Sequence, residues 1–357
     1  MYQALYRSFR PDTFDTLLGQ EHIVKILKNQ IASGTTGHAY IFCGTRGTGK
    51  TTTARILAKA LNCDSEGEKP CGTCETCRAI ASGSFLDVVE IDAASNNGVD
   101  DVRILREEVN FPPVMGRTKV YIIDEAHMLT GAACNALLKT LEEPPKDTVF
   151  ILATTDPEKL PATIHSRCIR LDFRRVSEEV MAKRFAEIIE EIGGKAEPEA
   201  LALIAANADG SVRDGLSLLD RCLAGGTDIT RDDVLFLLGM AGTEVYIEMT
   251  DCVLNKDLAG ALRCFSDVLA EGKEAVQFAK DWMEHFRSLM MIKILDRPQD
   301  ILNLSMENIE RLREQSKRAD LDFIRGCITL LSRTIADARY AHRPRTLIEI
   351  AIVRMSR

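Results

Sequence analysis

Gly44-Thr45-Arg46-Gly47-Thr48-Gly49-Lys50-Thr51 constrains the fold of this chain more than any other segment. The GxxxxGKT pattern works only as a turn between a strand and a helix, because its backbone N–H groups must converge on phosphates at the helix start. The apolar run Ala39-Tyr-Ile-Phe42 supplies the strand and Thr52–Leu61 the helix. The loop therefore predicts an α/β domain that binds a nucleoside triphosphate. Lys50 neutralises β/γ charge, Thr51 offers a hydroxyl to Mg²⁺, and Thr52 continues the helix whose positive end faces the phosphates.

Further short apolar runs at Leu86–Asp92, Lys119–Asp124 and Val149–Thr154 alternate with amphipathic segments, which predicts a parallel sheet with helices on both faces over residues 1–177. Ser177 caps a new helix that stops at Gly193-Gly194, and helices over Glu197–Ala208 and Ser211–Leu223 flank Asp209-Gly210. Residues 178–239 thus read as a small helical domain. Beyond Gly239-Met-Ala-Gly242 the pattern stays helical, with Leu321, Ile324, Ile328, Leu331 and Ile335 at 3/4 spacing and a break at Arg343-Pro344, so residues 240–357 form a third, all-helical domain.

Composition excludes some roles. The net charge is −8 and neither half of the chain is strongly basic, so any contact with DNA must use a local basic or helix-dipole surface. No apolar run approaches a bilayer span, and Met1–Arg10 lacks a secretory h-region, which points to a cytoplasmic protein without membrane contact. The eleven cysteines are scattered beside a phosphate loop that works where ATP is abundant, and most read as reduced thiols.

Val120-Tyr-Ile-Ile-Asp124-Glu125-Ala-His127 is an apolar strand ending in two acids. Asp124 can hold Mg²⁺ and Glu125 can polarise the attacking water, unless both are merely solvated acids at a strand end. The letters DEAH suggest a helicase, but no downstream QxxGRxGR-like segment supports one, and His127 reads as a helix-start residue. Ile151-Leu-Ala-Thr154-Thr155 ends the next strand in a hydroxyl that either senses the γ-phosphate or starts a Thr155-Asp-Pro turn; Thr155 is the choice over Thr154. Arg167 in Ser166-Arg-Cys168 and Arg213 in Gly210-Ser-Val-Arg213 are each candidates to stabilise a transferring phosphoryl group, or simply solvated charges.

Cys63, Cys71, Cys74 and Cys77 follow the phosphate-loop helix as C-x7-C-x2-C-x2-C. Four thiolates this close suit a structural Zn²⁺ with no open position; an Fe–S cluster or reactive thiols are the alternatives. Asp92-Ala-Ala-Ser-Asn96-Asn97-Gly98 opens a helix over Val99–Val109, where Asn96, Asn97 and Arg103 either approach a phosphate or belong to an ordinary cap.

Together GTRGTGKT, the four-cysteine insert, DEAHML, LLKTLEEPP, ILATTDPEKLPATIHSRC and GSVRDGLSLLD resemble the AAA+ clamp-loader ATPases, the gamma/tau family of bacterial DNA polymerase III. The resemblance is dense over residues 4 to about 225 and rests only on helical character and length from 241 to 357. It implies an AAA+ P-loop domain, a helical lid and an all-α collar. It also implies an ATPase converting ATP and water to ADP and phosphate, with Thr155 as sensor 1, Arg213 as sensor 2 and Arg167 as a finger reaching a neighbour's ATP. Phe9-Arg10-Pro11 and Leu17-Leu18-Gly19-Gln20 match the segment that embraces adenine, so Arg10, Pro11 and Leu18 join the nucleotide site by resemblance. The implied partners are delta, delta-prime and further copies of this chain, the sliding clamp and primer-template DNA. The family's longer tau form continues past the collar, whereas this chain ends at Met355-Ser-Arg357, so no polymerase or helicase contact is expected. A non-hydrolysing scaffold like delta-prime and a branch-migration motor are the competing readings. The intact Lys50 and Asp124-Glu125 oppose the first, and the cysteine insert opposes the second.

Overall fold

A computed structural model describes residues 4–238, 243–270, 272–295, 298, 302 and 306–356. The chain divides into two compact units, Met1–Arg231 and Asp232–Arg357.

The first unit is built on five parallel strands, β1 (Ala39–Cys43), β2 (Val88–Asp92), β3 (Lys119–Asp124), β4 (Thr148–Thr154) and β5 (Ile169–Asp172), in the order β2-β3-β4-β1-β5. Helices α1 (Leu5–Ser8), α2 (Glu21–Ser33), α3 (Lys50–Asn62), α4 (Glu75–Ser82), α5 (Val99–Val109), α6 (Gly131–Glu142) and α7 (Ala162–His165) fill the connections. Strands β1 and β4 are buried along their whole length because both faces of the sheet are covered. On one face Ile41, Tyr121, Ile123, Phe150 and Leu152 pack with Val102 and Leu105 of α5 and Leu137 of α6. On the other, Tyr40, Phe42, Val120, Ile122 and Ile151 pack with Ile23 and Leu27 of α2 and Ile56 and Leu57 of α3. The expected second strand starts two residues late, since Leu86 is exposed and the chain turns there. Strand β5 is not among the strands expected from the sequence. It is a four-residue edge strand, Ile-Arg-Leu-Asp, with only Leu171 buried, so its pattern carries little apolar signal.

Still within this unit, α8 (Glu178–Glu191) begins where Ser177 Oγ accepts the Val180 N–H, and it ends before Gly193 at φ +75°. Then come β6 (Lys195–Ala196), α9 (Pro198–Asn207), α10 (Val212–Leu223) and β7 (Asp228–Ile229). The pair β6–β7 ties the ends of this helical segment together.

After α11 (Arg231–Leu237), the second unit contains α12 (Thr243–Leu254), α13 (Leu258–Ala270), α14 (Ala275–Ile294), α15 (Met306–Arg318), α16 (Leu321–Ala338) and α17 (Pro344–Met355), and it is all-helical among the described residues. The expected boundary at Gly239–Gly242 lies outside them. Trp282 of α14 is fully buried and donates its indole N–H to Thr250 Oγ1 at 2.9 Å, the partner a buried indole requires. On α16 the 3/4 stripe buries Ile324 and Leu331, while Leu321 at the helix start stays exposed. No helix among the described residues is long and apolar enough to cross a membrane.

Candidate nucleotide site and metal centre

The C-terminal tips of β3, β4 and β1 lie side by side and carry the residues the sequence singled out. Beyond Cys43 the chain turns through Gly44, Gly47 and Gly49 at φ of +151°, +76° and +99°, values that side chains disfavour. Close neighbours add a second reason for glycine: a Cβ on Gly44 would sit 2.7 Å from the Phe173 carbonyl oxygen, and one on Gly47 would sit 2.9 Å from Ser211 Cβ. Thr45 and Arg46 are exposed on the loop, and Thr48 is buried with its hydroxyl donating to the Thr45 carbonyl at 2.8 Å. Lys50 is buried, and its ammonium donates to the carbonyls of Gly44 (2.9 Å) and Thr45 (2.8 Å). Burial pulls its pKa down, against the opposing pull of Glu125 and Asp124.

Thr51 Oγ1 donates to Asp124 Oδ2 at 2.8 Å, so the two predicted magnesium-holding groups are adjacent. Glu125 follows at φ +48°, a left-handed conformation unusual for a side-chain residue, and its N–H donates to Asp124 Oδ1 at 3.0 Å. The Glu125 carboxylate Oε2 accepts from Thr155 Oγ1 at 3.3 Å and lies 3.5 Å from His127 Nδ1. Thr154 instead turns inward: its buried hydroxyl meets His127 Nδ1 at 3.1 Å and accepts the Asp156 N–H at 3.1 Å. Lys50, Thr51, Asp124, Glu125 and Thr155 therefore gather in one place. His127 lies within a short 3-10 turn, Ala126–Met128, one residue after its start, and its ring also approaches the Glu125 carboxylate. Only its position two residues beyond the acid pair hinted at that contact.

Of the three arginines, Arg10 and Arg213 border the loop and Arg167 does not. Arg10 Nε donates to Thr52 Oγ1 at 3.0 Å, and burial, with Arg55 nearby, lowers its pKa. Arg213 is exposed on α10, with its guanidinium carbon 5.2 Å from the centroid of the Tyr6 ring. Arg167 lies elsewhere. It precedes β5, whose Ile169 pairs with Tyr40, so it flanks the N-terminal end of β1, whereas the phosphate loop leaves the other end. At about 3.3 Å per residue that offset is roughly 13 Å along the strand. Its guanidinium pairs with Glu142 at 2.6 Å and donates to the Thr163 carbonyl at 2.7 Å.

Of the residues assigned to adenine by resemblance, Pro11 and Leu18 are partly exposed, and Leu17 is the buried one, 3.8 Å from where a Gly49 Cβ would stand. Gln20 is fully buried and clamps both backbone groups of Arg174, at 2.7 and 3.1 Å, which ties this segment to the exit of β5.

The four thiol sulfurs of Cys63, Cys71, Cys74 and Cys77 lie within 4.8 Å of one another. The N–H groups of Cys71, Cys74 and Cys77 point at Cys63, Cys71 and Cys74 sulfurs at 3.3–3.4 Å, as they would toward thiolates. Those of Cys74 and Thr73 draw the Cys71 thiol down to about 6. The donor set fits one tetrahedral metal ion with sulfur ligands. Asn96 bonds back to the Asp92 carbonyl at 3.2 Å and Arg103 pairs with Asp100 at 2.9 Å, so both have local partners.

Three family models match consecutive stretches of the chain: DNA polymerase III, delta subunit, over residues 19–177; DNA polymerase III clamp loader subunit, ATPase lid domain, over 181–228; and DNA polymerase III subunits gamma and tau domain III, over 229–357. The DNA polymerase III subunit gamma of Buchnera aphidicola is 38% identical over 294 residues, 82% of this chain and 81% of that protein. This chain belongs to the DNA polymerase III gamma/tau family. The tau subunit of Bacillus subtilis is 41% identical over 99% of this chain, which spans 63% of that relative's length. Among solved structures, a Thermotoga maritima RuvB Holliday junction branch migration motor superposes with a TM-score of 0.50 at 19% identity, covering 69% of this chain and 79% of that one. At that identity it speaks for the fold alone, an AAA+ sheet with its helical lid. In gamma/tau terms, residues 181–228 are the lid and hold Arg213.

Proposed function

We propose that this chain is an ATP-hydrolysing motor subunit of a bacterial clamp loader, which spends ATP to place the sliding clamp on primed DNA during replication. The observation that carries the reading is the meeting of Thr51 with Asp124, and of Glu125 with Thr155, beside Lys50 at the tips of adjacent strands in a gamma/tau chain. Residues 1–177 serve as the ATPase domain, 178–239 as the lid and 240–357 as the collar, and the lid model over 181–228 supports that division.

Bound Mg²⁺ would supply positive charge to the phosphates, held by the Thr51 hydroxyl and Asp124. Lys50 exchanges its two carbonyl partners for phosphate oxygens, a charge-assisted contact that gains from its burial. Glu125 takes the proton of the attacking water, and Thr155, already bonded to that carboxylate, reports the terminal phosphate to it. Arg213 meets the same phosphate from the lid. Arg167 cannot serve its own chain's loop from the far end of β1, which supports a role on a neighbouring subunit's ATP. The four cysteines would hold a structural Zn²⁺ through their sulfurs. The working assembly contains delta, delta-prime and further copies of this chain, and acts on clamp and primer-template DNA in the cytoplasm.

The test is steady-state ATPase of the chain alone, then with loader subunits, clamp and primed DNA added in turn. A large rise only with all components present is expected. A rate that stays low despite tight ATP binding would favour a nucleotide-held scaffold.

A further inference from the structure

The segment ahead of α2 reaches both the phosphate-loop helix and the lid. Leu5 of α1 is buried, and α1 packs against α10, which starts after Ser211 and carries Arg213. Between them the partly buried Tyr6 ring has the Arg7 guanidinium carbon 5.7 Å and the Arg213 guanidinium carbon 5.2 Å from its centroid. Four residues on, Arg10 bonds to Thr52 at the start of α3. Arg10 feels the positive charges of Arg55 and Arg213 and the opposing negative charges of Glu90 and Asp124, so Arg10 and Arg213 repel one another at a loop mouth that also holds acids. It is also close to the loop itself: a Cβ on Gly47 would lie 3.3 Å from Arg213 Cβ. An unrestrained arginine would swing toward solvent under that repulsion. The face of an aromatic ring carries partial negative charge and offsets it without neutralising the guanidinium, as a carboxylate would.

We propose that Tyr6 is a positioning residue for Arg213: its ring face keeps the lid guanidinium at the loop mouth, pre-placed for the terminal phosphate of ATP and without consequence for ADP. The inference rests on the reading of Arg213 as the lid's phosphate contact. It makes the N-terminal turn part of the device that distinguishes triphosphate from diphosphate.

The experiment measures the affinity of the full chain for a non-hydrolysable ATP analogue and for ADP in the wild type and in Tyr6→Phe, Tyr6→Leu, Arg213→Ala and Tyr6→Leu/Arg213→Ala variants. Leucine keeps apolar bulk under α10 but has no ring face, and phenylalanine keeps the face. Tyr6→Leu should weaken the analogue about 2- to 5-fold and leave ADP unchanged. Tyr6→Phe should bind as wild type, and Tyr6→Leu should add nothing once Arg213 is gone. Equal weakening of both nucleotides, an effect that persists in the Arg213→Ala background, or failure of phenylalanine to restore affinity would each overturn the inference. Unchanged analogue affinity in Arg213→Ala would overturn the reading of Arg213 beneath it. A wild-type chain that bound neither nucleotide would overturn the hydrolysis reading itself.

Discussion

Asp87 offers the sharpest energetic test of the first unit, because one buried carboxylate holds a whole turn. Its Oδ2 accepts the N–H groups of Met115 at 2.6 Å, Gly116 at 2.7 Å and Val114 at 3.1 Å, and its Oδ1 accepts Val114 again at 2.9 Å. Hydrogen bonds to a charged group contribute about 1.5–3 kcal/mol each, so three donors set an upper bound of roughly 5–9 kcal/mol. The turn itself is exposed, Val114 at 78% and Met115 at 58%, so freed N–H groups regain water and the bound shrinks. For Asp87→Ala we expect a loss of about 3 kcal/mol, within the range for breaking a buried polar network, or about 6–12 °C in melting temperature for a unit of this size. Asp87→Asn can leave its oxygen in the Oδ2 position and keep three acceptor contacts, but it sets an NH₂ against the Val114 N–H. It should lose about half as much. The pH dependence follows in sign. Burial alone would raise the Asp87 pKa, but the N–H groups of Val114, Gly116 and Met115 outweigh it and hold the carboxyl below its ordinary value. The unfolded chain therefore takes up the proton first on acidification. The stabilisation is complete above the ordinary carboxylate range and is lost as pH falls below about 4, so the gap between wild type and Asp87→Asn should close there. Thermal unfolding by circular dichroism from pH 3 to 7 measures both. An Asp87→Ala melting temperature within a degree of wild type at pH 7 would refute the reasoning.

Metal analysis of the purified protein should find about one zinc per chain, and Cys74→Ser should lower that occupancy; a metal-free native protein would reject the knuckle. Lys50→Ala should abolish nucleotide binding in a titration. Arg167→Ala should bind ATP normally yet lose hydrolysis in the assembled complex, and a normal rate there would remove Arg167 from the neighbour's site. Gly47→Ala places a methyl against Ser211 at a left-handed φ, so it should cost both stability and ATP affinity, read by melting and titration together.

Much of the candidate nucleotide site is written in short contiguous runs, and the local geometry of such runs is legible. The loop glycines, the apolar strands and the acid pair after Ile123 each announce their local geometry, and a parallel sheet then brings its strand tips together. Long-range partners are less visible. Nothing near Glu125 in sequence names Thr155 as its hydrogen-bond donor, thirty residues away, and no motif marks Tyr6, whose importance comes from meeting Arg213 across the fold. Strand β5 escaped for a different reason: an edge strand with two charged residues among four has no continuous apolar run to show.

Helix α3 has Gly49 at its start and Cys63 just beyond its end, a rod of about 20 Å at 1.5 Å per residue. Near that far end Lys59 is bolted to Asp12 at 2.5 Å, and Asn62 accepts the N–H groups of Arg117 and Thr118 at 2.9 Å each, at the foot of the turn that Asp87 holds. Phosphate grip, cysteine knuckle and the exposed Val114–Met115 turn are thus mounted on one strut. A tilt of only three degrees about the loop would sweep the knuckle through about 1 Å, and the turn would travel with it. Because Ile56 and Leu57 also seat that strut on the sheet, a displacement at its outer end is resisted by the same core that fixes its start at the loop.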